Sequence, residues 1–220
     1  MSRLSRLLAA PFALVLTAAA LLAPAATSVY AESPGASAAR FITSSVVPDI
    51  DAFWRQESRA EGVSYTTPHV VLFDTTHPAY AACDSGAVDG HAYCPADRTI
   101  YLDVGSASSS SFGRLWATDS NFTIVTIIAH EWGHAIQDQR LRATQNLSQL
   151  QLEQQADCLS GVFAHYSAGR GWLEPGDLQA AEALALRSGD SGHGPGWRRA
   201  QAFETGYYSS TLAPSACGLD

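Results

Sequence analysis

The feature that most constrains this chain is an apolar helix-forming segment interrupted by two histidines and a glutamate. The predicted helix extends from about residue 119 to about residue 140, and H-E-W-G-H stands inside it at 130–134. Asp119 or Ser120 can cap a helix at its start. Because the residues are apolar almost all round, we predict a helix buried at the centre of the fold. Two imidazoles and a carboxylate are costly to bury alone, so this helix needs a partner for them.

The spacing of the two histidines predicts a zinc site. Residues i and i+4 lie roughly 40° apart around a helix, so the imidazoles of His130 and His134 can reach one Zn²⁺. Glu131 stands beside them, and H-E-x-x-H is typical of metalloproteases in which the glutamate is the general base. The three fixed letters occur by chance in roughly 1% of chains of this length, so their place on an apolar helix matters more than the bare pattern.

A catalytic zinc needs a third protein ligand, and the next predicted helix, from about residue 147 to about residue 166, offers one. Glu153 follows His134 by 19 positions, which is enough for a helix–turn–helix return. We interpret Glu153 as the third ligand. Asp157 lies one turn further on and can accept the other ring N–H of a ligand histidine, which fixes its tautomer. The alternative is a solvated carboxylate pair on a surface helix.

The N-terminus is typical of a secretory signal peptide over residues 1–31. Arg3 and Arg6 precede an apolar stretch at 7–23, and a small-x-Ala site follows at 29–31. The alternative is an uncleaved membrane anchor, although about 17 apolar residues is at the low limit for spanning a bilayer. We expect an extracytoplasmic protein with no membrane span after cleavage. Residues 32–48 are predicted to be a flexible lead-in, and 49–220 a zinc metallopeptidase domain.

Charge patterning excludes one class of partner. The chain has 13 Lys+Arg against 21 Asp+Glu, a net charge of −8, and every basic residue is Arg. The largest basic cluster is the pair Arg198–Arg199. A nucleic-acid-binding protein normally carries a basic stripe, so we expect no nucleic-acid partner.

Four cysteines follow the predicted leader: Cys83, Cys94, Cys158 and Cys217. An even number in an exported chain favours two disulfides, and sequence alone allows three pairings. We favour Cys83–Cys94, which closes a short loop and leaves Cys158–Cys217. A cysteine-based zinc site is the weaker alternative, because the chain has no C-x-x-C pair.

The order of the predicted elements indicates an α+β fold. A short helix at 49–61 precedes two β-branched and aromatic strands, Val70–Phe73 and Thr99–Asp103. Helices then follow at about 119–140, 147–166, 176–188 and 197–205. Strands first and helices afterwards favour α+β over alternating α/β.

Four blocks of the sequence resemble the neutral zinc metallopeptidase family of bacteria. The blocks are H-A-Y-C-P-A-D at 91–97 running into I-Y-L-D at 100–103, A-H-E-W-G-H at 129–134 with Gln137, E-Q-Q-A-D-C at 153–158 with Gly161, and His193-Gly194 followed by Arg198, Phe203, Gly206 and Tyr207. The second and third blocks are the specific ones. The fourth, which resembles H-G-x-x-x-x-R…F…G-Y, is looser, and Gln154 replaces a leucine of the family pattern.

The resemblance implies a zincin-type fold, in which a small β-sheet precedes a helical half with the buried H-E-x-x-H helix. It implies one catalytic Zn²⁺ in a gluzincin-like site held by His130, His134 and Glu153. A peptide or protein would be the substrate, and we expect a monomer.

In the mechanism that this site predicts, Glu131 takes a proton from the zinc-activated water and passes it to the leaving amine. A second donor should stabilise the oxyanion, and His193, Tyr207 and Tyr208 are candidates, each of which has an ordinary structural role as the alternative. The strand Ile100–Asp103 is a candidate for pairing with the substrate backbone, although an ordinary sheet strand is the favoured interpretation.

The other four histidines, His69, His77, His91 and His165, have no partner at ligand spacing and are predicted to be loop or surface residues. Two further functions stay open. One is an exported zinc-containing binding protein without catalysis, against which an intact Glu131 argues. The other is a zinc amidase that acts on cell-wall peptides.

Overall fold

A computed structural model of the protein describes residues 34–74, 77–83, 86–105 and 120–219, so the predicted signal peptide lies outside the described residues. Helix α1 (Pro34–Phe41), a π-helical turn (Ile42–Val46) and helix α2 (Val47–Ala60) follow one another directly. This differs from the flexible lead-in predicted over 32–48. The reason is an apolar stripe formed by every fourth residue, which the surrounding serines and alanines obscure in the sequence. All four members of the stripe are buried: Ala38, Ile42, Val46 and Ile50.

Three strands form a small sheet with the order β1-β3-β2, where β1 is His69–Phe73, β2 is Ala92–Cys94 and β3 is Thr99–Asp103. Strand β3 pairs in parallel with β1 and antiparallel with β2. Both sides of β3 are therefore occupied, and the prediction that Ile100–Asp103 could pair with a substrate backbone is wrong. Among the described strands, β2 is an edge strand.

The helical half follows the sheet, as the predicted α+β order requires. Its elements are α3 (Asn121–Asp138), α4 (Leu141–Thr144), α5 (Gln149–Gly169), α6 (Asp177–Arg187), α7 (Gly196–Tyr207) and a 3₁₀ turn (Pro214–Cys217). Ser120 caps α3, because its Oγ accepts the backbone N–H of Phe122 at 2.9 Å. Of these elements, the short α4 and the final turn were not predicted from the sequence, and neither was strand β2.

Close packing of the helices brings the polar faces of α3 and α5 together. A Cβ at Gly133 of α3 would lie 3.0 Å from Cα of Ala156 on α5, so the two backbones are almost in contact beside the H-E-x-x-H turn. Helices α5 and α7 cross more closely still, since a Cβ at Gly161 would lie 2.0 Å from the carbonyl oxygen of Phe203. The sequence therefore needs glycine at the α5–α7 crossing, whereas a Cβ at Gly133 would require a shift of the α5 backbone by a few tenths of an ångström.

The structure contains both disulfides that the sequence analysis favoured. Cys83–Cys94 ties a loop to β2, and Cys158–Cys217 ties α5 to the 3₁₀ turn near the C-terminus. Among the described helices, none combines the length and the apolar character needed to cross a membrane.

Candidate metal centre

Helices α3 and α5 bring three potential ligand side chains to one point. Nε2 of His130 lies 3.2 Å from Oε2 of Glu153, and Nε2 of His134 lies 3.5 Å from the same oxygen. One ligand atom from each of the three residues lies within 4.8 Å of the other two. The histidines come from successive turns of α3, and the glutamate comes from the second turn of the returning helix. The spacing of 19 residues therefore produces the convergence that the sequence predicts.

The convergent atoms fit a divalent cation. Oε2 of Glu153 is buried and makes no hydrogen bond with any described residue. A buried carboxylate oxygen without a partner is costly, and a cation between it and the two imidazoles would remove that cost. Two imidazoles and a carboxylate are the donor set of one class of catalytic zinc site, so the residues present fit Zn²⁺.

The electrostatics of the centre also favour a cation. Burial alone would raise the pKa of Glu153, but its contacts with His130 and His134 outweigh burial and hold that pKa well below its usual range. Burial alone would lower the pKa of His130, but the charge of Asp157 and further contacts with carboxylates raise it to about 10. The carboxylates thus create a negative potential that stabilises positive charge at this point.

Asp157 and an arginine support His130 from behind. Oδ1 of Asp157 lies 2.9 Å from Nδ1 of His130. Arg199 on α7 binds the same carboxylate through two bonds, Nε to Oδ2 at 2.9 Å and Nη2 to Oδ1 at 2.8 Å. Its Nη1 donates to the carbonyl oxygen of Ser188 at 3.0 Å. Although burial raises the pKa of Asp157, His130 and Arg199 lower it by more, so the carboxylate stays ionised.

Sequence reasoning assigned the arginine of the last family block to Arg198, and the structure corrects this. Arg198 is exposed and stacks on Trp197, with Cζ 5.1 Å from the ring centroid. Arg199 is buried and contacts Asp157. The signal was available, because the four positions between H-G and R in the pattern lead from Gly194 to Arg199.

A glutamine supports the second histidine. Oε1 of Gln137 lies 2.8 Å from Nδ1 of His134. His134 precedes Gln137 by three residues and lies on the same face of α3. The sequence analysis placed Gln137 in a family block and gave it no role. Its spacing of i+3 from His134 was the signal that could have found this contact.

Two clefts open onto the centre. The smaller has a volume of about 370 Å³ and the larger about 570 Å³. Both are lined by His91, His130, Glu131 and His193. The buried carboxylate of Glu131 therefore lies where the two clefts meet. Another cavity, of about 360 Å³, lies at the start of α3 and shares no lining residue with these clefts, so we assign it no part in the chemistry.

His193 lies at the rim of the centre, as its candidate role requires. Its Nε2 is 3.9 Å from Oε2 of Glu153, and its Nδ1 is 3.0 Å from the Asp190 carboxylate. Asp190 also accepts the backbone N–H groups of Gly192 and His193. These bonds, with that of the His193 backbone first, lower the pKa of Asp190 to about 2. The ionised carboxylate of Asp190 is therefore held in place and orients the imidazole of His193.

The other two candidate donors lie elsewhere. Tyr207 stacks on Phe203 and Tyr208 packs against Tyr207. Of the three candidates, all of them among the described residues, only His193 lines the clefts.

His91 is a loop residue, as predicted, but it lies beside the centre. It precedes β2 and its Nδ1 accepts the backbone N–H of Asp103 at 3.3 Å. Burial lowers its pKa to about 4. Sequence reasoning missed this position because no ligand spacing links His91 to the H-E-x-x-H helix.

Comparisons with known proteins give matches to individual relatives and to a family. Relatives include Escherichia coli K12 YpfJ, 33% identical over 172 residues, which are 72% of this chain and 58% of that protein. The Mycobacterium tuberculosis H37Rv protein Rv2575 is 31% identical over 83% of this chain and 72% of its own length. Both are described as uncharacterized. No solved structure matches the chain. A family described as "Putative neutral zinc metallopeptidase" matches residues 14–202, and the chain belongs to that family.

Proposed function

We propose that the protein is a secreted zinc-dependent peptidase with a zincin-type fold, in which His130, His134 and Glu153 hold one Zn²⁺. The observation that carries the proposal is the convergence of their three ligand atoms within 4.8 Å, at the meeting point of two clefts. Family membership supports it, and the two disulfides are typical of an extracytoplasmic protein.

The chemistry divides between the metal and the side chains. Bound zinc supplies a Lewis acid that polarises the scissile carbonyl and lowers the pKa of water. Glu131 accepts the proton of the attacking water and delivers it to the leaving amine. Its burial beside His130 removes competing solvent from that carboxylate. His193, held at Nδ1 by Asp190, directs Nε2 toward the centre and is the candidate to stabilise the negative charge that develops on the carbonyl oxygen.

The sheet offers a place for the substrate backbone. Ala92 and Tyr93 of β2 line the smaller cleft. An edge strand can accept an extended peptide as an added strand through main-chain hydrogen bonds. The Tyr93 hydroxyl donates to Asp138 on α3 at 2.9 Å, which fixes the edge strand against the helix that carries the ligands. An extended peptide on β2 would thus pass Glu131.

Glu131→Gln tests the proposal, because it removes the base and leaves the ligands. We expect the wild-type protein to cleave casein or members of a peptide library, and the variant to bind one zinc and lose cleavage by about 100-fold or more. Glu204→Gln, an exposed change on α7, is the matched control and should keep full activity. Zinc binding without any cleavage by the wild type would contradict the proposal in favour of a zinc-containing binding protein. Cleavage confined to cell-wall peptides would indicate the amidase instead.

A further inference from the structure

A chain of two glutamine side chains links His134 to the C-terminal segment. Gln137 on α3 contacts Nδ1 of His134 through Oε1 at 2.8 Å and donates from Nε2 to Oε1 of Gln155 on α5 at 3.0 Å. Gln155 in turn donates from Nε2 to the carbonyl oxygen of Cys217 at 2.9 Å. Both glutamines are buried, at 4% and 8% exposure, so water cannot replace these bonds cheaply.

Two backbone carbonyls determine which way each amide points. The NH₂ group of Gln137 also donates to the carbonyl oxygen of Leu152 at 2.8 Å. A carbonyl oxygen only accepts hydrogen bonds, so the NH₂ groups of Gln137 and Gln155 must face Leu152 and Cys217 respectively. If Gln137 were flipped, its Oε1 would face two other acceptors, the carbonyl oxygen of Leu152 and Oε1 of Gln155, and both bonds would be lost. The orientation with Oε1 of Gln137 toward His134 is therefore the one that the surroundings stabilise.

This orientation has a consequence for the imidazole. An amide oxygen accepts but does not donate, so Nδ1 of His134 must carry the hydrogen. A histidine with its hydrogen on Nδ1 presents the lone pair of Nε2, and Nε2 is the nitrogen that faces Glu153 at 3.5 Å. The contact thus selects the form of His134 that can ligate a metal.

We propose that Gln137 and Gln155 are positioning residues that hold His134 with its hydrogen on Nδ1, and that the C-terminal segment anchors them. The Cys158–Cys217 disulfide fixes the Cys217 carbonyl to α5, three residues after Gln155. The C-terminal turn therefore acts on the metal centre through two side chains. The inference rests on the proposed metal site, since its consequence is the zinc affinity of His134.

The experiment measures zinc affinity of the full-length protein by competition with a chromophoric chelator. Gln137→Met removes the acceptor for Nδ1–H of His134, and we expect zinc affinity to fall by about 10-fold to 100-fold. Gln155→Met leaves the bond from Gln137 to Leu152 in place, so we expect a smaller fall in zinc affinity. Gln137→Glu keeps an acceptor for Nδ1–H and loses the donors, so its melting temperature should fall while its zinc affinity stays within about threefold of wild type. Gln154→Met, a neighbouring change on α5, is the matched control.

A second readout is independent of activity. In ¹⁵N NMR of the zinc-loaded protein, the Nδ1–H of His134 should exchange slowly with water in the wild type and in Gln137→Glu, and rapidly in Gln137→Met. Equal zinc affinity in Gln137→Met and Gln154→Met would overturn the inference, as would an equal loss in Gln137→Glu and Gln137→Met. Zinc binding with this pattern but no peptide cleavage would contradict only the proposed function, whereas a protein that binds no zinc would overturn both.

Discussion

At the scale of single residues, the centre depends on charged groups that are buried away from water and paired with each other. Arg199 and Asp157 are both buried, and they neutralise each other next to the candidate ligand His130. Removing one member of such a pair is expensive because the other is left as an uncompensated buried charge. The neighbouring Arg198 is exposed and offers a control of the same residue type.

We predict that Arg199→Ala lowers the free energy of unfolding by about 3 kcal/mol and weakens zinc binding by about 10-fold, since Asp157 is no longer held against His130. Arg198→Ala should change stability by less than about 0.5 kcal/mol. Chemical denaturation of the two metal-free variants, followed by zinc titration, measures both effects. Equal stability of the two variants would contradict the role assigned to Arg199.

His91 predicts a dependence of stability on pH. Its pKa is about 4 in the folded protein, below the ordinary histidine value of 6.5, because burial penalises the charged form. Between these values the unfolded chain binds more protons, so the contribution of His91 to stability is complete above pH 6.5 and is lost as the pH falls toward 4. Allowing for the partial exposure of His91, we expect the free energy of unfolding to fall by about 2 kcal/mol between pH 6.5 and pH 4. His91→Gln keeps an acceptor for the Asp103 N–H and should flatten the profile of metal-free protein in this window. Parallel profiles for the two proteins would show that His91 does not titrate there.

At the scale of elements, the contacts between helices set the geometry of the centre. The crossing of α5 and α7 carries Arg199 to Asp157, and it needs glycine at 161 because a Cβ there would meet the Phe203 backbone. Such a clash can be relieved only by moving a whole helix, since the opposing atom belongs to the backbone.

Gly161→Ala should therefore lower the free energy of unfolding by about 3 kcal/mol and reduce zinc affinity as well. Gly169→Ala, at the end of the same helix, has open space around the new methyl group and should be neutral or stabilise by up to about 1 kcal/mol. Thermal unfolding of both variants is the measurement. A neutral Gly161→Ala would mean that α5 and α7 are less tightly packed than described.

The sequence predicted some elements well and others poorly, for physical reasons. The α-helical repeat fixes which side chains share a face, so His130, His134 and the pair on the returning helix followed from spacing. The helix at 34–48 was missed because serine and alanine composition concealed its apolar stripe. Strand β2 has only three residues and shows no alternation long enough to detect.

Other parts of the centre depend on tertiary structure. Gln155 acts through Gln137 and Cys217, which lie 18 and 62 residues away in the sequence. No local periodicity connects positions at such distances. The spacing of the family pattern points to Arg199, and the burial of Arg199 against the exposure of Arg198 agrees with it.

At the scale of the whole molecule, the candidate centre lies where four parts of the chain meet. Helices α3 and α5 supply the convergent candidate ligands, and the loop before α7 supplies His193. Strand β2 and the loop before it supply the edge strand and His91, and the C-terminal turn closes the glutamine chain. The predicted disulfides join two of these parts to their neighbours. The family match over 14–202 covers all of them except the C-terminal turn.

A crystal structure of the zinc-loaded protein, with anomalous scattering recorded on both sides of the zinc absorption edge, is the most direct test of the proposed metal site. We predict a single zinc bound by Nε2 of His130, Nε2 of His134 and a carboxylate oxygen of Glu153, each at about 2.0–2.2 Å. A zinc bound at another place, or at His130 and His134 with Glu153 turned away, would contradict it.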